Sequence, residues 1–118
     1  MSTLPAFLNL IEGEACAAAG GLTLEVLDPA DGQVFTRLPR SDARDVDAAV
    51  AAARRAFHGP WGRATATERG RVLSRLAALI LQQHEALAQL ECRDTGKPIQ
   101  QARADITACA RYFEYYGG

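Results

Sequence analysis

An α+β fold is predicted for this chain by three features. Strand-like apolar runs are confined to the first third, two later segments open with helix-capping residues and carry an apolar stripe, and a third stripe follows Gly96-Lys97-Pro98. Antiparallel strands with a hairpin should therefore occupy residues 8–38, followed by three or four helices at about 42–57, 65–92 and 98–116.

The strand region divides into Leu8 to Ile11, Leu22 to Leu27 and Gln33 to Leu38, with breaks at Gly20-Gly21 and Asp28-Pro29-Ala30-Asp31-Gly32. The second break reads as a hairpin turn. Pro29 presets φ, Asp28 and Asp31 can bond nearby amides, and Gly32 can take the left-handed conformation that returns the chain antiparallel. Ser41 then stands as a cap ahead of Asp42, Asp45 and Asp47, acids that favour the positive end of a helix dipole. Val46, Ala49, Val50, Ala53 and Phe57 form one buried stripe, and Gly59-Pro60 supplies a stop in which Gly59 would adopt the left-handed cap.

Thr65-Ala66-Thr67-Glu68 has the form of a capping box, and the stripe Leu73, Leu76, Ile80 follows it. Gln82-Gln83-His84 interrupts the apolar face before Leu87 and Leu90 resume, so two helices divided near His84 are preferred to one long one. After Thr95-Gly96-Lys97-Pro98, the residues Ile99, Ala102, Ile106, Ala110 and Phe113 form the last stripe, with Pro98 suited to the first helical position.

Composition bounds the function. The 118 residues are one domain's worth, 48% hydrophobic and 23% charged, with net charge -1. The 13 basic residues make no stripe, which argues against nucleic acid. Cys16, Cys92 and Cys109 form neither a CxxC pair nor a metal-ligand spacing with histidine, and they suit a reducing compartment. The apolar patches near the start lack the positive charge of a secretory signal, and no run approaches a membrane span. A soluble, cytoplasmic protein without membrane or nucleic-acid partners is expected.

No residue set here suffices for catalysis. His58 and His84 have no nucleophile at a working spacing and read as surface or capping residues; Cys92 and Cys109 read as packing residues. Neither GxGxxG nor GxxxxGK[ST] occurs, so Lys97 reads as an exposed turn lysine, not a phosphate ligand. Tyr112, Phe113, Tyr115 and Tyr116 spread around more than one helical face, which implies a covering partner or further chain.

Five segments occur in a distinctive order: Leu10-Ile11-Glu12-Gly13-Glu14, Val26-Leu27-Asp28-Pro29-Ala30-Asp31-Gly32, Asp45-Val46-Asp47-Ala48-Ala49-Val50, Glu68-Arg69, and Leu90-Glu91-Cys92-Arg93-Asp94-Thr95-Gly96-Lys97-Pro98. With Ala53, Phe57, Trp61, Asp105 and the run Ala110 to Tyr116, this series resembles the N-terminal region of NAD(P)-dependent aldehyde dehydrogenases. Ala15-Cys16 departs from it, where that family commonly has an aromatic residue. The resemblance implies that residues 1–118 are an incomplete N-terminal portion of the family's α/β cofactor domain, contributing outer strands and first helices.

In that family a thiolate attacks the aldehyde, a hydride passes to NAD or NADP, and water releases a carboxylic acid. The nucleophile, general base, oxyanion-holding asparagine and nicotinamide site belong to motifs these residues do not contain. No catalytic or cofactor-binding residue is therefore assigned. Cys92 does not match the nucleophile's motif, and the chain alone is expected to be inactive and to bind cofactor poorly. By resemblance, Val26 and Leu27 (main-chain oxygens) and Asp94 (carboxylate) match positions that hold a monovalent cation in some members, the alternative for Asp94 being bonds to turn amides. The resemblance further implies a small aldehyde substrate and a homo-oligomer when complete. The alternative is a stand-alone helical interaction module descended from such an enzyme, binding through Tyr112 to Tyr116.

Overall fold

The computed structural model describes residues 6–118, which divide into two compact units, one ending at Arg63 and the other beginning at Ala64. The first unit holds four strands and two helices, and the second holds three helices, so the α+β expectation holds.

In the first unit, β1 (Asn9–Ile11) pairs antiparallel with β2 (Glu14–Cys16), a strand the alternation did not mark. Their link, Glu12-Gly13, has φ of +55° and +79°, a two-residue turn whose twist matches paired strands. Glu12 is the one non-glycine at positive φ among the described residues. Its carboxylate receives two bonds from Arg55, at 3.1 and 3.0 Å, which hold the turn against the helix carrying that arginine.

The predicted hairpin is present as β3 (Thr23–Leu27) and β4 (Val34–Pro39), in register from Thr23↔Pro39 to Val26↔Thr36, with a bulge between Val26 and Leu27. Its turn works as expected. Asp28 Oδ1 accepts from the Ala30 amide and Asp31 Oδ1 from the Gln33 amide, both at 2.9 Å, and Gly32 takes φ of +70°.

Helix α1 (Ala43–His58) begins one residue later than expected, because Asp42 and not Ser41 is its cap. A carboxylate offers two acceptors where a hydroxyl offers one mobile group, and Ser41 Oγ is instead taken by Asn9 Nδ2 at 2.8 Å. Asp45 completes a capping box by accepting from the Asp42 amide, and its other oxygen accepts from the Ala19 amide, each at 2.8 Å. This nearly buried carboxylate ties the preceding loop to the helix start. Gly59 ends α1 at φ −103°, ψ −148°, not left-handed: the following Pro60 excludes the compact conformations and drives it toward extended backbone. Pro60 opens a four-residue helix, α2 (Pro60–Arg63), absent from the sequence reading.

The expected α1 stripe is periodic but not covered. Val46, Val50 and Phe57 are exposed, and the buried positions are Asp45 and Ala52.

In the second unit, Thr65 and Glu68 form the predicted capping box: the Glu68 amide donates to Thr65 Oγ1 and the Thr65 amide to Glu68 Oε2. Helix α3 (Ala66–Gln82) ends at Gln83, and α4 (His84–Thr95) starts directly after it, placing the break where the polar interruption placed it. Gly96, with φ of +74°, closes α4 in the left-handed conformation. Pro98 is the cap of α5 (Ile99–Gly117), one position before the first helical residue expected for it.

Helix α5 packs on both α3 and α4. The fully covered positions are small: among the described residues Ala77, Ala88, Ala102 and Ala110 are 0% exposed and no large side chain is fully buried, while Leu73, Ile80, Leu87, Ile99, Ile106 and Phe113 are half-buried. At one end of α5 the backbones nearly touch, since a Cβ added to Gly70 would lie 2.3 Å from the Gly117 carbonyl oxygen.

That approach sets two effects against each other for Gly70→Ala. Alanine gains about 1 kcal/mol of helix propensity, while a methyl group forced against backbone costs about 1–3 kcal/mol. Backbone cannot swing aside, so urea denaturation followed by helix circular dichroism should show net destabilisation by about 1 kcal/mol or more. A stabilised Gly70→Ala would refute the close crossing.

Candidate functional site

The chemistry-bearing side chains of the second unit gather where α4 meets α5. Thr95 Oγ1 bonds the Glu91 carbonyl at 2.8 Å, Gly96 N donates to Cys92 O at 2.8 Å, and the Lys97 amide reaches Thr95 Oγ1 at 3.4 Å. These bonds aim the Lys97 side chain back between the helices. Its Nζ lies 2.6 Å from Asp105 Oδ2 and 2.8 Å from Glu91 Oε1, in a fork joining the end of α4 to the second turn of α5. The side chain is 27% exposed, so Lys97 is not the exposed turn lysine the sequence suggested. Asp105 first, then Glu91, holds its ammonium above the ordinary lysine range. Such an ammonium is neither nucleophile nor base; it positions.

The other end of α4 is tied to the same helix. His84 Nε2 lies 2.9 Å from the Arg103 carbonyl and 3.0 Å from Thr107 Oγ1. A carbonyl only accepts, so Nε2 carries the proton, and His84 is a bridge between helices where a surface or capping residue was expected. Next to it, Glu85 receives Arg103 Nε at 2.9 Å and Nη2 at 2.8 Å, a two-point pair, and Gln89 Nε2 at 2.8 Å. Arg103 first, then Gln89, lowers the Glu85 carboxyl to about 2.

Of the three expected cation residues, Val26 and Leu27 flank the bulge of β3 in the first unit, and Asp94 lies exposed in the last turn of α4 in the second. The Lys97 amide donates to Thr95 Oγ1, not to Asp94. Among the described residues no group of three His, Cys, Asp or Glu side chains could hold a metal. Cys16, Cys92 and Cys109 are half-buried free thiols. Tyr112, Tyr115 and Tyr116 are 68%, 77% and 72% exposed and line an open groove with Ala108 and Arg111. No helix is long and apolar enough to cross a membrane among the described residues.

A sequence model described as the aldehyde dehydrogenase family matches residues 17–118. This chain belongs to the aldehyde dehydrogenase family. It is similar to the mitochondrial aldehyde dehydrogenase family 2 member B4 of Arabidopsis thaliana, 47% identical over 111 residues that cover 92% of this chain and 21% of the relative. Among solved structures it resembles the NAD-dependent aldehyde dehydrogenase of Sinorhizobium meliloti, at 41% identity and TM-score 0.94, covering 98% of this chain and 24% of that one. The NAD+ complex of the Bacillus cereus aldehyde dehydrogenase gives 43% identity and TM-score 0.93, covering 96% and 23%. The chain thus spans about a fifth of the length of the curated relatives it matches.

For this aldehyde dehydrogenase segment the motif around Asp94 was visible in the sequence, but the partners of its lysine were not. Asp105, two turns into the helix that Pro98 starts, was the available signal. Asp45, which the sequence places as an acid at the positive end of the helix dipole, also holds a loop amide that is remote in sequence.

Glu85 gives a test with a definite sign. In the unfolded chain it protonates near 4.5 and in the folded chain near 2, so its pairing contributes fully above about 4.5 and is lost as pH falls toward 2. The melting temperature of Glu85→Gln should lie below that of the parent near neutral pH, and the gap should close with acid through that window. A gap independent of pH would show that the Arg103 pair is not the cause.

Proposed function

We propose that residues 1–118 form the N-terminal scaffold of an enzyme that oxidises an aldehyde to a carboxylic acid, the reacting groups coming from residues outside these 118. The observation carrying this reading is a family match over residues 17–118 in a chain whose large apolar side chains, among them Val46, Phe57 and Tyr115, stand exposed. In this reading those faces are covered by the rest of the enzyme, since contiguous apolar surface marks an interface. When bound, NAD would accept hydride; the Sinorhizobium and Bacillus structures name that cofactor for those proteins. NADP is the second candidate. This chain's own part is to hold the α4–α5 elbow and the outer hairpin in place.

A homo-oligomer and a cytoplasmic location belong to the same proposal. Three thiols without a disulfide favour a reducing compartment. Main-chain oxygens at Val26 and Leu27, where a bulge re-aims the backbone, and the exposed Asp94 carboxylate suit a hard monovalent cation. A stand-alone interaction module is the second reading, favoured by the exposed tyrosines.

Grafting residues 17–118 into the Sinorhizobium meliloti enzyme in place of its matching segment separates them. A scaffold should support NAD-dependent aldehyde oxidation within about tenfold of the parent, while the 118-residue chain with NAD and an aldehyde panel forms no NADH. Turnover by the isolated chain, or a folded chimera without activity, would overturn the proposal.

A further inference from the structure

Lys97 is the only lysine in the chain; the other 12 of its 13 basic residues are arginine. The distinction is chemical. A neutral ε-amine condenses with an aldehyde: its lone pair attacks the carbonyl carbon, protons pass from nitrogen to oxygen, and water leaves as the C=N bond forms. A guanidinium stays charged and has no such lone pair to offer. The one side-chain amine present lies between two carboxylates on different helices, at 2.6 and 2.8 Å, and is largely covered. For it to react, a proton must leave an ammonium that both acids stabilise, and Nζ must come out of the fork.

We propose that the Glu91–Lys97–Asp105 fork is a protective device, which keeps the chain's single lysine charged and sequestered so that the segment offers no side-chain amine to aldehydes. The biological weight of this inference rests on the aldehyde-oxidising reading above, but its chemistry does not. The raised lysine pKa, caused by Asp105 and then Glu91, acts in the same direction as the geometry. Each acid would favour the charged form on its own, so the protection should divide between them.

The test is reductive methylation of the full chain with formaldehyde and cyanoborohydride, in which cyanoborohydride hydride reduces each imine to an alkylated amine. Labelling at Lys97 is timed by peptide mass spectrometry against a synthetic peptide of residues 92–100. The fork predicts a rate at least about tenfold below the peptide's, since each pKa step of one lowers the reactive fraction tenfold. Glu91→Gln and Asp105→Asn should each recover part of the rate, and together most of it. Glu85→Gln, which loosens the neighbouring Arg103 pair without touching the fork, should leave it unchanged. Labelling at the peptide's rate in a chain that keeps its helix signal would overturn the proposal, as would an equal rise in Glu85→Gln, which would assign the protection to helix order. The reaction needs neither NAD nor turnover, so an inactive chimera would leave its outcome intact.

Discussion

Small residues at the helix contacts set the terms for everything else in the second unit. Where α5 meets its neighbours the covered residues are Ala77, Ala88, Ala102 and Ala110, and Gly70 lies against the Gly117 backbone. Helices that approach this closely gain dispersion contacts between backbones and methyl groups, but bury little apolar area per residue. Leu73, Ile80, Leu87, Ile99, Ile106 and Phe113 are half-buried, and Leu79, Tyr112, Tyr115 and Tyr116 are exposed. Rotation and register then depend on polar ties: His84 and Glu85 at one end of α4, the Lys97 fork at the other. Ties of this sort are individually modest where exposed, and their value lies in fixing geometry.

The first unit obeys a related logic with different parts. Its covered residues are Ala18, Phe35, Thr36, Asp45 and Ala52, and one carboxylate, that of Asp45, serves both the helix cap and the Ala19 amide. The outward face of α1, Val46 with Val50 and Phe57, has the periodicity of a buried stripe without cover in this chain. Tyr112, Tyr115 and Tyr116 of the second unit are exposed as well.

Local signals were legible and long-range ones were not. The Asp28–Gly32 turn, the Thr65–Glu68 capping box and the division near His84 all depend on residues within a few positions of each other, and each appeared where spacing placed it. Errors came where two local rules competed. Ser41 is the cap expected from the sequence, and Asp42 takes that place in the structure, its carboxylate offering two acceptors while Asn9 engages the Ser41 hydroxyl. Gly59 was free to turn left-handed until Pro60 restricted it. Three-residue strands such as β2 are too short to show alternation. The fork at Lys97 joins residues across a turn, and no periodicity reports which acids a lysine will meet. Family membership, in contrast, followed from the ordered series of weak motifs, which chance does not readily reproduce.

Order in this chain thus comes from small covered residues, half-buried apolar side chains and polar ties, while large apolar side chains such as Val46, Phe57 and Tyr115 stand exposed. Binding of the dye ANS to the purified chain, read beside its helix circular dichroism, addresses this directly. A helical chain that binds the dye strongly, with blue-shifted emission, is the expected result. A helical chain that binds no more dye than a compact folded protein of equal size would show instead that its apolar faces are already covered.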